Sequence, residues 1–216
     1  MGRDSADNKV AENEAPAIRE FSDHDLIEAT RNGDESAYGE IVSRYKNPLV
    51  SYLYRMLNDY EEAVDLTQEA FVRVYFAIDR YHSDYAFSTY IYRIATNLAI
   101  SELRKRKRRR LLSLTGFFKS DTEESADLQP PDSRPGPEES LAKGELSRTI
   151  ANAISALPEI YRAPIILREV EELSYEEISD ILDLGLGTTK SRISRGRGML
   201  RQKLESYLEP TNDELF

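Results

Sequence analysis

Apolar residues recur at intervals of three and four along most of the chain, the spacing of α-helices with one buried face. Asp23 to Asn32 reads as a short first helix with Leu26, Ile27 and Thr30 inward. Asn32-Gly33-Asp34 stops it, and Asp34 or Ser36 caps the next element. From Ala37 the inward positions are Tyr38, Ile41, Val42, Tyr45, Leu49, Tyr52, Leu53 and Met56, a long amphipathic helix that Pro48 should interrupt and bend. Asn58 and Asp59 end it, and Asp59 with Glu62 caps a third helix. That helix turns Ala63, Leu66, Thr67, Ala70, Phe71, Val74, Tyr75 and Ile78 inward and presents Asp65, Gln68, Glu69 and Arg73 on its other face. An aromatic-rich loop, Arg80 to Phe87, leads to a helix capped by Ser88 and running to about Arg110. Ile91, Ile94, Ala95, Leu98 and Leu103 face its core, while Arg93, Asn97, Ser101, Arg104 and Arg108 form a separate polar stripe.

The pattern then lapses. Residues 111–138 carry Asp121, Glu123, Glu124, Asp127 and Asp132 among or just before Pro130, Pro131, Pro135 and Pro137, an acidic flexible linker without a core. Helical spacing resumes near Glu139 with Leu141, Leu146, Ile150, Ile154 and Leu157, and Pro158 opens a helix with Tyr161, Ile165 and Leu167 inward. Ser174 and Glu177 form an S-x-x-E capping box ahead of Tyr175, Ile178, Ile181 and Leu182. Asp183 to Gly187 breaks the pattern, the glycines permitting a left-handed turn, and Thr188 caps the last helix. There Ile193, Leu200 and Leu204 face inward, and Gly196 and Gly198 leave room for close backbone approach. The fold class is therefore all-α, with two small helical domains, 23–110 and 139–208, between a mobile tail (1–22) and an acidic tail (209–216).

Composition narrows the chemistry. The 216 residues are 40% hydrophobic and 31% charged, with no cysteine, which excludes disulfides, thiolate metal sites and cysteine nucleophiles. His24 and His82 lack metal-ligand spacing, so no metal, cofactor or catalytic residue is expected. Neither a membrane-span length of apolar residues nor a signal-peptide core is present, which predicts a cytoplasmic protein without direct membrane insertion.

The net charge of −10 hides a segregation. Arg104 to Arg110 is seven consecutive basic residues, and no acidic residue lies between Thr188 and Lys203. A basic run that continues a helix after an aromatic loop favours nucleic acid, since rings stack on unpaired bases while cations follow the backbone. The helix–turn–helix from Ser174 would set its second helix in the major groove, with Lys190, Ser191, Ser194 and Arg195 on one outward face.

Three segments together resemble the sigma-70 family of bacterial RNA polymerase sigma factors, in its extracytoplasmic-function group: DLTQEAFVRVY (65–75), FSTYIYRIATNLAISELRKRKRR (87–109), and LPEIYRAPIILREVEELSYEEISDIL with GTTKSRISRGRGMLRQKL (157–182, 187–204). The resemblance covers nearly all of the chain outside the tails, and makes the two domains sigma domain 2 and helix–turn–helix sigma domain 4. It implies that Asp65, Gln68, Glu69 and Arg73 contact the β′ clamp helices of core RNA polymerase, and that domain 4 docks on the β flap. It implies that Tyr85, Phe87, Arg93, Asn97, Ser101, Arg104 and Arg108 bind the promoter −10 element and promote melting. Thr188, Lys190, Ser191, Arg192, Ser194 and Arg195 would bind the −35 element. An anti-sigma factor is an implied partner. Tyr90, Gly185, Thr189 and Ser194 depart from the residues common at those places in the family.

Three other readings fit the residues less well. A stand-alone helix–turn–helix regulator would need a dimer interface, and no spare amphipathic helix offers one. A nucleic-acid enzyme finds its acidic cluster Glu123-Glu124 only in a proline-rich linker that cannot hold rigid ligands. A sigma mimic would not need basic reading positions in both domains. The domains are expected to pack together when free, because basic surfaces and an acidic linker attract.

Overall fold

The computed structural model describes the backbone of residues 21–81, 86–114 and 137–208, and the side chains of all of these except 113–114, 137–145 and 206–208. The tails, residues 82–85 with Tyr85, and most of the expected linker lie outside the described residues. Helix α1 (Asp23–Arg31) starts at Ser22, whose hydroxyl accepts from the Asp25 N–H in a reciprocal capping box. Helix α2 (Glu35–Leu57) is capped by Asp34, as its short carboxylate before an apolar run predicts, and runs through the exposed Pro48 as one helix rather than two. Asn58 ends it in the left-handed region at φ 53°. Asp59 then caps α3 (Tyr60–Ala77) by accepting from the Glu62 N–H, and a 3-10 turn, Ile78–Arg80, follows. Helix α4 (Phe87–Leu114) begins one residue before the expected Ser88 cap, with the Tyr90 N–H closing on the Ala86 carbonyl.

Helices α5 (Pro137–Ser155), α6 (Glu159–Glu169), α7 (Tyr175–Leu182) and α8 (Leu186–Leu208) make the second group. Together with α1–α4 they give an all-α fold of two helical groups, with no strand among the described residues. Leu146 and Ile150, expected inward, are exposed; among the described side chains of α5 it is the end near Ile154 that reaches the core, along with Leu157 just beyond it.

The turn between α7 and α8 forms differently from the sequence-based expectation. Asp183, not a glycine, takes the left-handed conformation at φ 52°, and the Leu184 N–H bonds the Ser179 carbonyl at 3.0 Å to close a Schellman turn. An Asp tolerates this backbone where most residues do not. Gly185 then sits at the start of α8, its carbonyl accepting from the Thr189 N–H, so Thr188 lies in the first turn and is not the cap.

Within each group the packing follows from the apolar stripes: α2 lies against α1, α3 and α4, and α6 and α7 lie against α8. The two groups also share one buried cluster, with α7 on α4 and with α5 and α6 on α2. The expected association thus exists, and among the described residues it is made by side chains of the helices. Arg162 at the start of α6 donates to the Met56 carbonyl at 2.5 Å, one of the last free carbonyls of α2, and also to the Ser155 and Leu157 carbonyls.

Only one of the two recognition-helix glycines is needed for close approach. A Cβ on Gly196 would sit 2.6 Å from Ile165 Cγ1, whereas one on Gly198 would meet nothing within 4 Å. Gly196→Ala is therefore expected to destabilise the protein by about 1–2 kcal/mol, because overpacking outweighs the helix propensity gained. Gly198→Ala is expected to stabilise it by roughly 0.5–1 kcal/mol. Urea unfolding of the two variants beside the parent checks both signs.

Candidate nucleic-acid interface

Helix α4 carries the first candidate surface. Spacings of four, four, three and four bring Arg93, Asn97, Ser101, Arg104 and Arg108 onto one exposed stripe, along a 28-residue helix about 42 Å long. The opposite side is core: Ile91, Ala95 and Ala99 are fully buried. The Ser101 hydroxyl donates to the Asn97 backbone carbonyl at 2.7 Å, and Asn97 itself is exposed, its side-chain amide carrying both a donor and an acceptor. Phe87, read as a base-contacting residue, is only 3% exposed and packs edge-on against Tyr45 and Tyr81. It offers no stacking face to a base and instead supports Tyr90 and Tyr81 from below.

The basic run is not uniform. Arg106 turns back onto the body and pairs with Asp59 at 2.8 Å, Glu102 at 3.4 Å and Glu62 at 3.6 Å. Lys105 pairs with Glu102, whose side chain is 8% exposed, at 3.1 Å. A buried carboxylate demands such partners. Arg104, Lys107, Arg108 and Arg109 remain exposed along the same helix.

Sequence reasoning missed Arg31. Its guanidinium donates to the Ile78 carbonyl at 2.9 and 3.1 Å and to the Tyr81 carbonyl, and its other arm holds Glu28. It thereby fixes the chain entering the aromatic segment. Its acceptors lie 47 and 50 positions away and are backbone atoms, which no local pattern could announce.

Helix α8 carries the second surface. Thr188, Lys190, Ser191, Ser194 and Arg195 are exposed, Arg192 is half-buried, and Ile193 opposite them is 1% exposed. The Lys190 ammonium sits 5.7 Å from the centre of the Tyr175 ring, which also carries the Arg168 guanidinium at 4.9 Å. Thr188, Ser191, Arg192 and Arg195 line an open cleft of about 390 Å³ with Ile160 and Tyr161 of α6. Arg197 is held by Glu169 at 2.7 Å.

On α3, Asp65, Gln68, Glu69 and Arg73 are all exposed, and Glu69 and Arg73 pair at 2.5 Å. The same side exposes Val72 (53%) and Phe76 (81%), apolar surface that the sequence reading passed over. No group of metal-ligating side chains occurs among the described residues, and none of their helices is long and apolar enough to cross a membrane.

Between the helical groups, the Tyr92 hydroxyl donates to Glu171 at 2.5 Å. Burial pushes the Glu171 carboxyl above its ordinary range, partly offset by that hydrogen bond and by Arg55. Burial, with Glu171 beside it, pushes the Tyr92 hydroxyl up as well.

Comparison with known proteins places these surfaces in a family. Residues 41–109 match the family model for sigma-70 region 2, and residues 147–200 match sigma-70 region 4. The chain is 40% identical over 182 residues to the ECF RNA polymerase sigma factor SigW of Bacillus subtilis, covering 82% of this chain and 94% of that one. It is 35% identical over 189 residues to the ECF RNA polymerase sigma-E factor of Escherichia coli K12, covering 88% and 97%. In fold it resembles CnrH, solved with the cytosolic domain of CnrY, at TM-score 0.62 and 22% identity over 86% of this chain and 99% of that one. It also resembles the sigma factor RpoE, solved with the anti-sigma factor NepR from Bartonella quintana, at TM-score 0.59 and 23% identity, covering 78% and 96%.

The two kinds of cation on α4 are separable by mutation. Arg106→Ala is expected to cost roughly 1–2 kcal/mol, because it leaves three carboxylates short of a partner, one of them buried. Arg108→Ala should change stability by less than about 0.5 kcal/mol. Thermal unfolding of the two variants reads the difference.

Proposed function

Because the chain belongs to the extracytoplasmic-function group of the sigma-70 family, we propose that it is a dissociable subunit of RNA polymerase that recognises the −35 and −10 elements of a promoter and promotes melting at the −10 element. It is a transcription initiation factor and not an enzyme. The observation that carries the reading is the pair of exposed polar stripes on α4 and α8, each lying within a segment matched by a sigma-70 region.

Each stripe suits a different state of DNA. The α8 face presents hydroxyls and cations at the start of a helix, the arrangement that reads base edges in a duplex major groove. Thr188, Lys190, Ser191, Arg192, Ser194 and Arg195 are assigned to the −35 element. On α4, Arg93, Asn97 and Ser101 are assigned to the −10 element and Arg104 and Arg108 to its flanking phosphates. An amide such as that of Asn97 can both donate to and accept from the edge of an extruded base. Unstacking a base costs a few kcal/mol, so trapping exposed bases is sufficient to hold a melted segment without nucleotide hydrolysis.

The α3 face is assigned to the β′ clamp helices of core polymerase. Asp65, Gln68, Glu69 and Arg73 supply register and partner choice, and the domain of α5–α8 docks on the β flap. The relatives solved with CnrY and with the anti-sigma factor NepR support an anti-sigma factor as a partner of this chain. The site of action is the cytoplasm, where the polymerase is.

Run-off transcription from a genomic promoter library, with purified core polymerase and with or without this protein, tests the reading. Transcripts that depend on the protein and share a two-block upstream motif are expected. Tight binding to duplex DNA by the protein alone, with no such transcripts, would favour a stand-alone regulator. Asn97→Ala is expected to reduce open-complex formation about 10-fold or more with core binding intact, as the loss of a two-point base contact implies. Asp65→Ala with Gln68→Ala should weaken core binding first, as read by competition for core polymerase.

A further inference from the structure

Arg31 lies on no stripe assigned to DNA, yet it holds the backbone beneath one. The 3-10 turn Ile78–Arg80 is closed by the Tyr81 N–H, which bonds the Ile78 carbonyl at 3.2 Å. The carbonyls of Ile78 and Tyr81, three residues apart, both accept from Arg31. Its Nε and one terminal nitrogen donate to Ile78 at 3.1 and 2.9 Å, and that same terminal nitrogen donates to Tyr81. The other terminal nitrogen is held by Glu28 at 2.5 Å, one turn back on α1. A guanidinium is a rigid fork with fixed donor directions, so gripping two carbonyls at once sets their separation as well as their angle. An ammonium at the same place would supply the charge without the fork.

The grip passes from backbone to rings. Tyr81 follows the turn directly, and its buried ring lies 5.2 Å from that of Tyr90 and 5.8 Å from that of Phe87. Phe87 rests in turn on Tyr45, whose hydroxyl and neighbouring Arg44 are both held by Asp23. Helix α1 therefore braces the ring cluster twice, from Asp23 at its start and from Arg31 at its end. Phe87 and Tyr81 are buried, whereas Tyr90 is half-buried and stands three and seven positions before Arg93 and Asn97, on the same line of α4. At 1.5 Å per residue it lies about 10 Å from Asn97 along the helix axis. An unstacked base is read by hydrogen bonds to its edge and by a ring beside it, and both must keep a fixed separation. A displaced Tyr81 would carry Tyr90 with it, because close-packed rings have no void into which to absorb the shift.

We propose that Arg31 is a positioning residue for base selection at the −10 element. Its two-carbonyl bracket sets Tyr81, Tyr81 sets the pitch of Tyr90, and Tyr90 borders the bases that Arg93 and Asn97 select. The selection half of this inference rests on the reading under Proposed function; the link from Arg31 to the Tyr90 ring does not. Two plainer roles predict otherwise. A guanidinium that only steadied α1, or only supplied charge to the end of α3, would alter stability without altering which base is preferred.

Because the chain has no tryptophan, Tyr90→Trp places a single fluorophore in the ring cluster of the full-length protein. Adding Arg31→Lys is expected to shift its emission to the red and to increase its quenching by acrylamide, with helix content by circular dichroism unchanged. Unchanged emission and quenching in folded Arg31→Lys and Arg31→Ala variants would overturn the link to Tyr90. In the chain that keeps Tyr90, promoters found by run-off transcription are remade with each base in turn at the −10 and −35 positions. Polymerase carrying Arg31→Lys or Arg31→Ala is expected to lose about fivefold or more of its preference at one −10 position, the size of a single base contact, and to keep its −35 preferences. Preference restored by Arg31→Lys would show that charge suffices and overturn the bracket. A yield that falls equally on every promoter, with all preferences kept, would overturn the positioning role. Absence of protein-dependent transcripts even from the unaltered chain, with the fluorescence change intact, would sink the promoter reading and leave the link from Arg31 to Tyr90 standing.

Discussion

Helix α4 has one circumference and three claims on it. At 3.6 residues per turn, Ile91, Ala95 and Ala99 share the side buried against α2 and α3, and two alanines among them let those helices come close. Tyr92 and Thr96 lie next to that side, where Tyr52 and Glu171 meet their hydroxyls. What is left is the stripe from Arg93 to Arg108, which no helix of the first group covers. A change on any one side is felt on the others, since rotating α4 to improve its packing would carry Arg93 and Asn97 off the surface.

The cations divide along the same line. Arg31, Arg106, Arg162 and Arg197 are spent within the protein, on helix-end carbonyls or carboxylates. Arg93, Arg104, Arg108, Lys190 and Arg195 stay outward. All but Lys190 are guanidiniums, the same group in both sets. They differ only in whether a carbonyl or carboxylate from a distant part of the chain lies within reach, which is why a run of basic residues is a poor measure of how many charges meet a phosphate. The acidic residues that give the chain its net charge of −10 are used locally as well, at helix starts such as Asp34, Asp59 and Glu177. There they satisfy free N–H groups and complement the helix dipole, away from the two stripes.

Much of the all-α architecture was legible in the sequence, because helical periodicity, capping boxes and the helix end at Asn58-Asp59 are set by interactions within a few residues. The outward stripes on α3, α4 and α8 were legible for the same reason: the residues opposite an apolar face must face away from it. Local signals erred where two options were close in energy. Thr188 and Ser88 looked like caps, yet the helices start earlier because the preceding backbone already supplies the turn. Phe87 looked like a base-stacking ring, and whether an aromatic residue is surface or core depends on the rings that Tyr45 and Tyr81 bring to it.

Contacts between residues far apart in sequence were decided by the tertiary structure alone. Gly196 and Gly198 are the same residue type two positions apart, and only the approach of Ile165 makes the first indispensable. The fold of Arg106 onto Asp59, the Arg31 bracket, and the meeting of Glu171 with Tyr92 join positions 47 to 79 residues apart. Sequence spacing fixes which side of its own helix a residue takes. It does not fix which other helix arrives there, because that choice is made by packing all the buried faces at once.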